Sequence, residues 1–178
     1  MNYTRTRAHA GDSATLTPPI YPAGKLRCTS PVFEPGGGGS TVARAIAPLG
    51  DKAIAIFPAG GATGQHLIAL LADEQVPTQC VDTQDWTRQN LHVHAEASGE
   101  QYRFVMPGVA LSTDEFRQLE EHVLAIDSGS LLVISGSLSP GVVVKKLTQL
   151  NVAAQHKGSR CSVHSSGDAR TVDTELGN

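Results

Sequence analysis

Gly36-Gly37-Gly38-Gly39 is the stretch that most narrows what this chain can fold into, and Ser40-Thr41-Val42-Ala43-Arg44-Ala45-Ile46-Ala47 follows it directly. Contiguous glycines weaken any regular element that contains them, so they suit a backbone that turns sharply or lets another molecule approach where a Cβ would collide. Ser40 or Thr41 offers a hydroxyl as N-cap, and Val42, Ala43, Ile46 and Ala47 give a small apolar stripe at helical spacing. A glycine turn that opens a helix presents free backbone N–H groups and the positive end of the helix dipole to a polar ligand. Gly-Gly-Gly-Gly-Ser is also the composition of a flexible linker. The helical pattern that follows at once, without a second linker unit, favours the turn. Gly60-Gly61-Ala62-Thr63-Gly64 repeats the arrangement after an apolar run. Two such turns predict a ligand-binding edge of an α/β sheet.

The 178 residues suffice for one domain with a real core, and 40% apolar against 17% charged residues is globular composition. A net charge of −3 gives no electrostatic reason to expect nucleic acid or an acidic membrane as partner. No apolar run approaches the ~20 residues of a membrane helix, and Met1-Asn2-Tyr3-Thr4-Arg5 has no apolar core for secretion. Cys28, Cys80 and Cys161 are odd in number and far apart, which signals neither a disulfide framework nor a zinc site. A cytoplasmic protein with reduced thiols is expected.

Residues 1–12 are polar and basic without apolar alternation, and poor order is expected there. Residues 14–33 read as extended, with Pro18, Pro19 and Pro22 restricting them to edge strands and turns. The helix after the glycines should end at Gly50. Ala53-Ile54-Ala55-Ile56-Phe57 and Leu131-Leu132-Val133-Ile134 are short continuous apolar runs, as in buried parallel strands, and Arg160-Cys161-Ser162-Val163 is a third strand. Thr78 to Val81 is a short strand candidate. Helices are expected from the second glycine turn to about Glu74, after the capping box Ser112-Thr113-Asp114-Glu115, and over 143–156. Between residues 86 and 106 the pattern changes to strict alternation on both sides of Ser98-Gly99-Glu100, which predicts an antiparallel hairpin with one polar face. The fold class is therefore α/β, a doubly wound, mostly parallel sheet, with a small antiparallel β lid built from 14–33 and 86–108.

A dinucleotide fold would place G-x-G-x-x-G after its first strand and an acid ~20 residues on; contiguous glycines after a lid-like segment weaken that reading. His92 and His94 sit two apart on one strand face, but no third ligand keeps pace with them, so a solvated or interface face is the better reading. Lys25, Arg27 and Arg88 are cations of the lid segments that would suit an anionic substrate beside a glycine-lined pocket.

Several separated motifs, in order, resemble the ribokinase-like (PfkB-type) carbohydrate kinases and their 6-phosphofructokinase branch. They are Asp12-Ser13-Ala14, Lys25-Leu26-Arg27-Cys28, Pro35-Gly36-Gly37-Gly38-Gly39 leading into Val42-Ala43-Arg44-Ala45, Trp86-Thr87-Arg88-Gln89-Asn90, and Ser135-Gly136-Ser137-Leu138 with Pro140-Gly141. The resemblance runs from about Asp12 to Gly167. It implies an ATP-dependent kinase, with Mg2+, that phosphorylates the 1-position of fructose 6-phosphate, and a lid that also pairs subunits into a homodimer. It implies that Asp12, Gly37 and Gly38 bind sugar hydroxyls, that Thr41 stands where the family has Asn, that Lys25 and Arg88 face the substrate phosphate, and that Ser137 sits in the pocket. His164 stands where the family has Asp, Ser139 where this branch has Pro, and polar residues replace the apolar first strand. No G-A-G-D motif, the family's catalytic base and anion hole, occurs between residues 1 and 178, and Gly167-Asp168 lies in the wrong place to replace it. Residues 1–178 thus resemble the N-terminal part of such a kinase. The alternative is a non-catalytic fragment that binds sugar phosphate or pairs through its lid.

Overall fold

The computed structural model describes residues 2–6, 9–108, 110–136 and 144–164. Its main sheet has five parallel strands: β1 (Asn2–Thr6), β4 (Ala53–Ala59), β5 (Thr78–Asp82), β8 (Leu131–Ser135) and β9 (Arg160–His164), in the order β5-β4-β1-β8-β9. The expected apolar runs supply β4, β8 and β9, and the short candidate at 78 becomes β5.

Helices cover both faces, as a doubly wound sheet requires. Alternation along β4 shows why. Ala53, Ala55, Phe57 and Ala59 pack with Ala43 of α1 (Gly38–Ile46) and with Leu67 and Leu71 of α2 (Gly61–Asp73). Ile54 and Ile56 turn the other way, to Leu119 and Val123 of α3 (Thr113–Leu124) and Leu150 of α4 (Val144–His156). The capping box is complete: Glu115 N–H donates to Ser112 Oγ at 3.2 Å and Ser112 N–H to Glu115 Oε2 at 2.7 Å.

The polar start of the chain corrects the expectation of poor order. β1 is the middle strand, paired in parallel with β4 on one side and β8 on the other. A middle strand gains a hydrogen-bond ladder on both edges, and aromatic and β-branched residues suit it without being aliphatic. Tyr3 is buried in the core while its hydroxyl reaches Asp127 at 3.3 Å, and fully buried Thr4 points its hydroxyl at the Ile54 carbonyl.

The second sheet has the order β3-β2-β6-β7, from β2 (Ala10–Thr17), β3 (Val32–Gly36), β6 (Arg88–Ala95) and β7 (Gln101–Phe104). The hairpin expected after residue 86 is β6 and β7, antiparallel. The lid as a whole is not antiparallel, however: its central pair, β2 and β6, runs parallel. The chain re-enters the main sheet between them, through α1, β4, α2 and β5, and leaves it again from the same end. Both strands therefore set out in the same direction.

The first helix also begins earlier than expected. Gly37 is the N-cap, with φ 96° and ψ 140°, and Gly38 and Gly39 lie inside α1. Ser40 and Thr41 are not caps. After Ile46 a 3-10 turn, Ala47–Leu49, accommodates Pro48, and Gly50 closes it at φ 80°.

Candidate functional site

The site forms where the lid leaves the carboxyl ends of β1, β4 and β8. β3 runs straight into the glycines, so Gly36 still pairs with Ala10 of β2 while Gly38 already begins α1. Two glycines are required by close approach. A Cβ on Gly36 would collide with the Asp12 carboxyl group, and a Cβ on Gly38 with Ser135 Oγ and the Gly136 backbone. Gly37 is required by its positive φ, which an L-residue adopts only at a cost. The glycine turn is thus pressed between the lid acid and the end of β8, with the N-terminus of α1 beside it.

Asp12 faces Asn90 in the β2–β6 register, and Asn90 Nδ2 donates to Asp12 Oδ1 at 2.8 Å. Asn90 Oδ1 accepts from the Met106 N–H at 3.0 Å, and Ser13 Oγ donates to the Asn90 carbonyl at 3.0 Å. Arg88, half-buried two residues earlier on the same strand, donates from Nη1 to the Met106 carbonyl at 2.8 Å. Burial pulls its guanidinium below the ordinary value, and the Asp12 carboxylate opposes that pull. One acceptor group and one cation thus stand beside the glycine turn, a combination that can accept hydrogen bonds from hydroxyls and attract an anion.

Of the residues expected at a site, the structure brings together Asp12, Gly37, Gly38 and Arg88, with Thr41 one turn into α1. Thr41 Oγ1 donates to the Gly37 carbonyl at 3.1 Å, so its proton is engaged and only its lone pairs remain for a ligand. Lys25 does not join them. It is exposed in the loop between β2 and β3, lines a separate hollow with Tyr21 and Arg27, and makes no hydrogen bond or ion pair among the described residues. Ser137, like Ser139 and Gly167-Asp168, lies outside the described residues. His92 and His94 line a hollow with Leu16, Thr29 and Val32, and no group of three or more metal-ligating side chains occurs among the described residues.

Asn90 and His9 were not anticipated as site residues. Asn90 had a signal, as a polar residue on the alternating face of β6. His9 had none, because it lies in the segment read as unstructured. It is fully buried, edge-on to Phe57 with ring centroids 3.8 Å apart, and its Nδ1 lies 3.1 Å from Ser40 Oγ.

The sequence pattern of the pfkB family carbohydrate kinases matches residues 10–176. With the parallel sheet, the lid and the glycine turn, this makes the chain a member of that family. The "ATP-dependent 6-phosphofructokinase isozyme 2" of Escherichia coli (strain K12) is 70% identical over 176 residues, which are 99% of this chain and 57% of that protein. A crystal structure of E. coli phosphofructokinase-2 in complex with fructose-6-phosphate superimposes with a TM-score of 0.95 at 69% identity, over 99% of this chain and 58% of that one. The tetrameric inhibited form of the same E. coli enzyme gives 0.93 at 70% identity, over 99% and 58%. The chain therefore spans somewhat over half the length of these relatives.

Proposed function

We propose that this chain is the sugar-phosphate-binding part of an ATP-dependent kinase that converts fructose 6-phosphate to fructose 1,6-bisphosphate. The observation that carries this is the Asp12 carboxylate, held by Asn90 against Gly36, with Arg88 beside it and the α1 N-terminus below. Asp12 accepts hydrogen bonds from sugar hydroxyls, the glycine N–H groups donate to sugar oxygens, and Arg88 answers the phosphate. The substrate is the one with which the E. coli relative is crystallised. Phosphoryl transfer also needs a base and donors for the moving phosphate. In this reading they, ATP and Mg2+ belong to the part of the relatives' length that this chain does not span. In this reading the protein works in the cytoplasm, where ATP and sugar phosphates are metabolites.

The lid is proposed to pair two copies of the chain, and Lys25 to reach the phosphate in the neighbouring copy. Leu91 and Phe104 face each other in register and are 37% and 49% exposed, more than solvation of a lone sheet favours. Assembly is a property of the E. coli relative, which forms a tetramer in its inhibited form. A second reading is a fragment that binds sugar phosphate without catalysis, since Asp12, Arg88 and the glycine turn are suited to binding by themselves.

The test joins this chain to the remaining C-terminal part of the E. coli relative and follows ADP release with fructose 6-phosphate. Turnover that is lost on Asp12→Ala supports the kinase reading. A folded fusion without turnover supports the fragment.

A further inference from the structure

We infer that His9 and Ser40 form a positioning pair that sets the direction of the Gly37 N–H, and so tunes the sugar-phosphate pocket; this rests on the binding reading above. Ser40 Oγ donates to the Gly36 carbonyl at 3.0 Å. The described peptide bonds are all trans, so the N–H of Gly37, on the same peptide unit, points opposite to that carbonyl and away from the first turn of α1. One residue on, the Gly37 carbonyl accepts from both the N–H and the hydroxyl of Thr41, each at 3.1 Å, which fixes the next peptide unit likewise. A turn of glycines has little stiffness of its own. These side chains supply it.

His9 completes the arrangement. A carbonyl only accepts, and Ser40 has one hydroxyl proton, which goes to Gly36. The oxygen of Ser40 and the Gly36 carbonyl are then both acceptors beside His9, and Nδ1 carries the imidazole proton. Nε2 is left as a bare acceptor, buried and without a hydrogen-bond partner among the described residues. Such an orphan is costly, whereas an apolar pair of the same shape is nearly neutral. The pair therefore contributes orientation more than stability.

The test uses the 178-residue chain with His9→Leu, His9→Asn and Ser40→Ala. Three signals are read: the ¹⁵N spectrum of the His9 imidazole, the amide resonance of Gly37, and calorimetric affinity for fructose 6-phosphate. The expected spectrum shows the proton on Nδ1. Ser40→Ala and His9→Leu move the Gly37 amide and weaken binding about two- to tenfold, the value of one neutral hydrogen bond. His9→Asn, whose side-chain amide donates from near the Nδ1 position, restores both, and none of the three lowers the urea midpoint enough to explain the loss. A proton on Nε2, or a Gly37 amide and an affinity that ignore these changes, would overturn the pair. Failure of the unaltered chain to bind fructose 6-phosphate would overturn the binding reading alone, and the imidazole and Gly37 signals would then decide the pair by themselves.

Discussion

Asn90 Nδ2 donates to Asp12 Oδ1 at 2.8 Å, and this bond joins the two parallel strands at the centre of the lid directly above the glycine turn. It also fixes which oxygens of Asp12 remain for a ligand. Asn90→Leu should leave the carboxylate unsupported and strand the Met106 N–H, costing about 1–3 kcal/mol of stability. Urea unfolding measures this, and a midpoint equal to that of the unaltered chain would show that Asp12 holds its place without Asn90.

Gly37→Ala forces a side chain to φ 96° and ψ 140°, at roughly 1–3 kcal/mol. Gly38→Ala instead pushes a methyl group into Ser135 Oγ and the Gly136 backbone, an overpacking cost of about 1–3 kcal/mol. Both should lower the urea midpoint, while Ser98→Ala in the exposed hairpin turn should not.

Much of this architecture was legible in the chain. Apolar runs at 53–57 and 131–134 announced buried strands, and strict alternation after residue 86 announced the hairpin, because burial on two faces and on one face leave different patterns. β1 was not legible. Its described core positions, Tyr3 and Thr4, each carry a hydroxyl satisfied by a distant residue, Asp127 or Ile54, which no local pattern reveals. The parallel pairing of β2 with β6 was hidden for the same reason, since their partners lie 78 residues apart. At the site the glycines and Asp12 were legible as motif, but His9 is explained only by Ser40 and Phe57, which the fold brings to it.

Burial holds the His9 imidazole down to about 3 from the ordinary 6.5, against the hydrogen bond to the Gly36 backbone and with help from the Arg88 charge, itself answered by Asp12. Unfolded, His9 takes its proton near pH 6.5; folded, it does not until about pH 3. The unfolded state therefore binds more protons in that window, and stability rises with pH across it. The contribution is present in full above 6.5 and is lost as pH falls, amounting to roughly 2 kcal/mol by pH 5. Urea midpoints across this range should fall steeply for the unaltered chain and less for His9→Leu. Equal slopes would mean that His9 is solvated.

Arg88→Ala should weaken binding of fructose 6-phosphate roughly ten- to hundredfold while changing binding of fructose far less, because a charge-assisted contact to phosphate is lost. Lys25→Ala should do so only where two copies of the chain pair, since Lys25 lies apart from Arg88 in one copy. Sedimentation with and without fructose 6-phosphate distinguishes the cases. Equal losses for both sugars would mean that the cations support the lid rather than bind phosphate.

On the proposed reading, in which the base belongs to the part of the relatives' length not spanned, ADP release by the 178-residue chain with ATP and fructose 6-phosphate should stay at background, a missing base alone commonly costing 10²–10⁴-fold. Activity abolished by Asp168→Ala would make Asp168 the base.

The most direct test of the central claim is calorimetric titration of fructose 6-phosphate into the 178-residue chain and its Asp12→Ala variant. A sugar-phosphate site built from Asp12, the glycine turn and Arg88 predicts saturable heat at one site per chain, abolished by Asp12→Ala. Absence of heat from the unaltered chain, or heat that Asp12→Ala leaves unchanged, would contradict it.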